Sequence, residues 1–263
     1  NGEAKRLMIN CPPRLGKSMI ASQYFPSRWL GKDPTLNFIQ ASYGAELSNS
    51  FGRKTKQITM EQSYKNVFPD FELSQEKREW GNRETKQRWG YYSVGVGGAL
   101  TGKGWDYLII DDPVKDRMEA DSPTIQQRNI DWYESVASTR LQTQDSRIIC
   151  IMTRWSVDDL GGYILREEKD WTQVTIKAID ERGKGIIRPW KWDLWHMEDI
   201  KHKMIPKNWE ALYQQNPIAS TDSIFKREYF DYFLLSDFEK VDGGLDKKDL
   251  SRILGSKGWN QIK

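Results

Sequence analysis

The chain is nearly without cysteine and histidine, with two of each among 263 residues. Cys11 and Cys150 both sit in apolar, strand-like runs. They cannot staple a chain of this size, so a disulfide scaffold is excluded and a reducing cytosolic setting is expected. His196 and His202 lack further ligands at the close spacing of a zinc site, which excludes one built on them. No apolar run approaches the ~18 residues of a membrane helix, and the start shows no signal-peptide pattern. An excess of one charge is missing too: 40 Lys and Arg stand against 37 Asp and Glu, a net charge of +3. That balance excludes a histone-like or tail-driven nucleic-acid binder. No internal repeat is visible.

What is present is enough apolar matter for a sizeable core, 38% of the residues. At ~150 residues per domain the length argues for one large domain or one plus a small appendage. The 12 Trp are scattered, which favours core and lid packing over a stacking platform. Short apolar strands are expected at 5–10, 36–41, 91–96, 107–110, 147–152 and 172–177. Helices are expected at 17–29, stopped near Pro26, and at about 45–60 and 124–138. Strands of this length alternating with helices predict an α/β fold with a mainly parallel sheet covered on both faces. The polar, aromatic stretch 61–89 fits no element clearly. After about Asp180 the texture turns to aromatics, lysines and short helical stretches. The expected division is a core over 1–180, a lid or linker subdomain over 181–235, and a polar tail over 236–263.

The strongest local signal is Cys11-Pro12-Pro13-Arg14-Leu15-Gly16-Lys17-Ser18, between a predicted strand and a predicted helix. That is the setting GxxxxGK[ST] requires, with Cys11 standing where the first glycine is usual. Backbone N–H groups and the helix N-terminus there cradle phosphates, and the lysine reaches the β/γ oxygens. The Ser18 hydroxyl suits Mg²⁺. A second motif, Leu108-Ile109-Ile110-Asp111-Asp112-Pro113, brings two carboxylates to the carboxyl end of a central strand, where parallel sheets bind ligands. Asp111 is expected to hold Mg²⁺ through water and Asp112 to polarise the attacking water as general base. A third, Ile148 to Trp155, is a buried strand ending in Thr153 and Arg154. A residue there can sense the γ-phosphate; a plain strand end with a surface arginine is the alternative.

Together these motifs resemble the ATPase domain of the large terminase subunit, the DNA-packaging motor of tailed bacteriophages. Asp158-Asp159-Leu160 and Tyr213-Gln214-Gln215-Asn216-Pro217 look like that family as well, and the resemblance covers about 5–230. It implies an ASCE-type, RecA-like P-loop fold that hydrolyses ATP with Mg²⁺ to translocate double-stranded DNA. The implied partners are a portal protein, the small terminase subunit and further copies of the chain in a ring. The implied location is the host cytoplasm, transiently on the procapsid. Carried over residue by residue, Lys17 and Ser18 bind phosphate and Mg²⁺, Arg14 contacts the γ-phosphate, and Thr153 couples hydrolysis to DNA movement. For the arginine that a neighbouring subunit often supplies, the nearest candidates are Lys103 and then Arg140; a lysine lacks the bidentate fork of arginine. The adenine-binding segment is expected upstream of Asn1.

Other readings make different demands. A helicase-like translocase needs a second RecA-like domain, and the residues after Asp180 are too few for one. A non-catalytic ATP-binding assembly module needs no water-polarising carboxylate, yet both Asp111 and Asp112 are present. A small-molecule kinase needs an acceptor pocket and lid arginines that are not evident. Between 182 and 207, Arg182, Lys184, Arg188, Lys191, Lys201, Lys203 and Lys207 face three acids, a local excess of +4. A solvated face and a DNA track both explain that run. No base-reading motif accompanies it, so any DNA contact is expected to be to the backbone and salt-sensitive. Asp231, Asp237, Glu239, Asp242, Asp246 and Asp249 cluster late, but the chain from Asp231 onward is too short for a nuclease domain. No DNA cleavage is expected of it.

Overall fold

The computed structural model describes residues 4–73, 82–84, 90–100, 104–180 and 193–218. Its strands are β1 (Arg6–Asn10), β2 (Phe38–Ser42), β3 (Asn82–Glu84), β4 (Gly90–Gly95), β5 (Tyr107–Asp111), β6 (Arg147–Met152) and β7 (Thr172–Thr175). They join into one sheet in the order β3-β4-β2-β5-β6-β1-β7. Six of these strands run parallel, and only β3 pairs antiparallel, at the edge beside β4. Every residue of β2 and β5 is buried. Central parallel strands lose both faces to covering helices, which is why they read as unbroken apolar runs.

The two faces carry different cores. Ile39, Ala41, Leu108, Ile110, Ile148 and Cys150 pack with Trp105, Trp132 and Tyr133 on one side. Phe38, Tyr91, Tyr107 and Ile109 pack with Leu30 and Tyr64 on the other. There Phe38 and Tyr107 stack with ring centroids 4.8 Å apart. Toward the carboxyl end of this second face the apolar pattern gives way to Gln40, Ser42 and Asp111, all fully buried.

Helices α1 (Lys17–Met19) and α2 (Phe25–Lys32) are joined without a break by a π-helical turn, Ile20–Tyr24. Pro26 therefore lies inside the helix instead of stopping it. α3 (Ala45–Met60) and α4 (Gln62–Val67) follow β2. α3 lies so close to β4 that a Cβ on Gly52 would meet the Tyr91 ring at 3.1 Å. After β5 come α5 (Arg117–Ala120) and α6 (Pro123–Trp132), the latter extended by a π turn over Tyr133–Ala137 and a 3₁₀ turn over Ser138–Arg140. α7 (Leu160–Glu167) links β6 to β7. α8 (Leu194–Lys203) and α9 (Pro206–Leu212) close the described chain around a small core of Ala178, Met197 and Trp209.

Candidate functional site

Three neighbouring parallel strands end at one level. Asn10 of β1 is in register with Met152 of β6, and Asp111 of β5 with Ile151. The residues that follow, Cys11, Asp112 and Thr153, therefore emerge side by side where parallel sheets present their ligand sites. β6 lies between the two motif strands, so all three sequence signals meet along one edge.

The loop 11–18 leaves β1 with Cys11 donating its N–H to the Met152 carbonyl at 3.2 Å. Cys11, Pro12 and Leu15 are buried anchors, Pro13 is half-buried and Arg14 points to solvent. Two residues take left-handed backbone, Arg14 at φ 61 and Gly16 at φ 85. Gly16 adopts this without a Cβ penalty and caps the helix that begins at Lys17. The helix N-terminus thus opens onto the loop, the arrangement that favours a phosphate.

The Lys17 ammonium lies 2.7 Å from Asp112 Oδ2 and donates to Thr153 Oγ1 at 2.8 Å. Thr153 in turn donates its hydroxyl to the Cys11 carbonyl at 3.0 Å and its N–H to Asp112 Oδ1 at 3.0 Å. Asp112 takes a left-handed φ of 45. Such a conformation is uncommon outside glycine, although Asp tolerates it better than most, and it often marks a functional position. Thr153 thus touches the phosphate loop, its lysine and the second carboxylate at once. A plain strand end would not.

Asp111 is fully buried. Ser18 donates to its Oδ1 at 3.1 Å and Ser22 to its Oδ2 at 2.6 Å. Burial, with the Asp112 charge adding to it, pushes the Asp111 carboxyl well above the usual carboxylate range, and the Ser22, Lys17 and Ser18 contacts pull it partly back. A buried carboxylate with an ionised neighbour gains most from a cation. A hydroxyl and one or two carboxylates suit Mg²⁺, which keeps several waters and relies on phosphate oxygens for the rest. Among the described residues no group of three or more His, Cys, Asp or Glu gathers as a metal cage.

Arg154 does not lie on the surface. It is 7% exposed, and its Nε donates to both oxygens of Asp159, 1% exposed, at 3.0 Å. Asp159 also accepts the backbone N–H groups of Trp155, Ser156 and Gly162, the last as N-cap of α7. Arg154 N–H reaches Gln215 Oε1 at 3.0 Å, and Gln215 holds φ at 57. Successive amides at 153 and 154 therefore bind Asp112 and the loop after α9. Tyr213 of that loop stacks on Trp209 at 4.9 Å between centroids. Burial raises its hydroxyl, and the Arg14 guanidinium draws it back down. Beside this loop a cavity of about 630 Å³ is lined by Lys177, Lys201, Trp209 and Gln215, among others.

The two candidates for a charge supplied by a neighbouring copy are not among the residues gathered here. Arg140 lies next to Trp105 and Leu141, which precede β5 and β6. That is the amino-terminal edge of the sheet, at the other end of the strands from the loop. Lys103 falls outside the described residues, as do 182–192 of the basic run and the late acidic cluster. Within 193–218, Lys203 pairs with Asp199 at 2.7 Å and Lys201 lies over the Trp209 ring. Ser22 and the pairing of Arg154 with Asp159 add to the expected residues. Ser22 was detectable as the i+4 neighbour of Ser18 on one helix face. The Arg154–Asp159 pair was detectable as an acid just ahead of the Leu160 helix start.

Comparison with known proteins agrees with this architecture. The ATPase domain of the large terminase of Thermus phage P74-26 superposes with a TM-score of 0.56 at 13% identity, covering 82% of this chain and 90% of that one. The HK97 bacteriophage large terminase gives 0.54 at 11% identity, covering 81% and 47%. The large terminase of a thermophilic bacteriophage, solved with ADP, gives 0.51 at 7% identity, covering 81% and 48%. At these identities the likeness establishes the P-loop fold, and this chain spans about half of the longer two. No protein of curated description matches the sequence. The model of the family described as terminase large subunit, T4likevirus-type, N-terminal, matches residues 8–231, so the chain belongs to that family.

Proposed function

We propose that this chain is the ATP-hydrolysing motor domain of a viral large terminase, powering the packaging of double-stranded DNA into a procapsid. The observation that carries the reading is the contact set of Lys17, which lies between Asp112 and Thr153 while Ser18 holds Asp111. In the proposed division of labour, Lys17, Arg14 and the loop amides from Cys11 to Ser18 hold the phosphates. Ser18 and Asp111 hold Mg²⁺, which when bound neutralises charge on the β- and γ-phosphates. Asp112, released from Lys17 as that lysine turns to phosphate, accepts a proton from the attacking water. Thr153 carries the change to the chain around Arg154 and Gln215.

The family membership and the fold of the solved relatives support this reading. One of those relatives was solved with ADP. Double-stranded DNA, the portal, the small terminase subunit and a ring of identical copies are the proposed partners, with Lys103 or Arg140 as the charge supplied in trans. The proposed division is a core over 1–180, a lid over 181–235 and a tail over 236–263. Among the described residues no helix is long and apolar enough to cross a membrane. The proposed place of action is the host cytoplasm, transiently on the procapsid. The test is steady-state hydrolysis of ATP with Mg²⁺, with and without plasmid DNA of unrelated sequences. Turnover should need Mg²⁺, vanish in Lys17→Ala, and rise with any duplex in a salt-sensitive manner. A Lys17→Ala protein that hydrolyses ATP at the parent rate refutes it.

A further inference from the structure

We propose that Ser22 is a positioning residue for the Asp111 carboxylate, and that Pro26 is what shapes the helix around it. The inference rests on the reading of Asp111 as the Mg²⁺ carboxylate. Proline has no N–H, so Pro26 cannot give the carbonyl four residues back its helical hydrogen bond. That carbonyl belongs to Ser22. The helix accommodates the break with its π turn, in which Phe25 N–H bonds the Ile20 carbonyl. Single π turns of this kind recur at functional sites.

The freed Ser22 carbonyl is satisfied from outside the helix. Thr55 Oγ1 of α3 and the Tyr91 hydroxyl of β4 both donate to it at 3.3 Å. Ser22 is thereby fixed through its backbone by two other elements, and its hydroxyl points at Asp111 Oδ2, 2.6 Å away. Ser22 has no exposed surface, so it can touch neither solvent nor nucleotide. Its contribution is orientation. The terminal torsion of an aspartate is broad, and a short hydrogen bond to an ionised oxygen is among the stronger restraints available. Ser18 holds the other oxygen only until its hydroxyl turns to metal. Ser22 then remains the fixed donor, keeping Oδ2 inward and Oδ1 toward the loop. Residues that orient metal-binding groups in this way typically matter ~10–100-fold in metal affinity.

The experiment is a Mg²⁺ titration of ATPγS binding by the full 263-residue chain, followed by calorimetry, with thermal melts in parallel. Ser22→Ala should raise the Mg²⁺ concentration for half-saturation by ~10-fold or more, with ATPγS affinity in excess EDTA unchanged. Ser22→Cys, close in volume but a weak donor, should shift it in the same direction and keeps the test valid if the alanine variant folds poorly. Thr55→Val removes one bond to the Ser22 carbonyl and leaves the hydroxyl contact alone. Because that bond helps fix Ser22, it should move the Mg²⁺ midpoint in the same direction as Ser22→Ala but by less. If the parent midpoint exists and neither Ser22 variant moves it, Ser22 is packing only and the inference falls alone. If the parent binds ATPγS with no dependence on Mg²⁺, the assignment of Asp111 falls and takes the inference with it.

Discussion

Asp158 and Asp159 are adjacent carboxylates with opposite expected worth, and replacing each by alanine separates a buried ion pair from an exposed one. Asp158 meets Arg166 at 3.3 Å with side chains 60% and 51% exposed. Pairs of this kind contribute ~0–1 kcal/mol. Asp159 meets Arg154 with both side chains at 9% exposure or less. Removing one partner of such a pair leaves a buried charge uncompensated, at ~3–5 kcal/mol. The three backbone N–H groups on Asp159 lose their acceptor as well; the cap of α7 alone is worth ~1 kcal/mol. These losses overlap, so Asp159→Ala should cost ~4 kcal/mol, a large share of the ~5–15 kcal/mol of a typical domain. At ~2–4 °C per kcal/mol the melting temperature should drop by about 10 °C. Asp158→Ala should move it by no more than about 4 °C. Urea midpoints and thermal melts of the two variants read the difference directly. Two alanine variants of equal stability would refute the claim that the chain after β6 is held by Arg154 and Asp159.

Further outcomes follow from the same geometry. The fold holds the Asp111 carboxyl above its ordinary range through burial and the Asp112 charge. Its stabilising contribution is therefore full below that ordinary range and is lost as pH rises through the raised value. Without metal, stability should fall between about pH 4 and about pH 7. Asp111→Asn should flatten that slope in melts and abolish any rise on adding Mg²⁺ with ATPγS; an unchanged slope would contradict the buried-charge argument. A Cβ on Gly162 would overlap the Val157 carbonyl, so Gly162→Ala should destabilise by ~1–3 kcal/mol in urea denaturation. A neutral result would mean that the turn into α7 yields easily.

The sheet was legible in sequence where burial is complete. β5 and β6 read as apolar runs because both their faces are covered; β6 spans the expected 147–152, while β5, expected at 107–110, runs one residue further to take in the buried Asp111. α3 matched its expected span of 45–60 because its buried positions Ser48, Phe51, Gly52, Thr55 and Thr59 recur at helical spacing. The helix over 17–32 was expected to end early. A proline normally stops a helix; here a π turn absorbs the missing N–H and donors outside the helix satisfy the freed Ser22 carbonyl. β7 was expected at 172–177 but ends at Thr175; as an exposed edge strand it has no apolar run to mark its limit. The phosphate loop and the carboxylate pair were visible as motifs. Their bonding was not, because Lys17 to Thr153 and Ser22 to Asp111 are separated by 136 and 89 positions. Local pattern carries no signal for such contacts. Arg154 reads as a surface charge until its buried acid is seen beside it.

The central claim, that Asp112 activates water while Lys17 and Asp111 hold the nucleotide, is tested most directly by one pair of numbers from Asp112→Asn. The substitution preserves shape and removes the proton acceptor. Affinity for ATPγS with Mg²⁺ should stay at the parent value, since Lys17 and Ser18 remain and Lys17 loses only a competing partner. In the same preparation kcat for ATP should fall by ~10²–10⁴, the usual worth of a positioned general base. Turnover at the parent rate with binding intact would contradict the account.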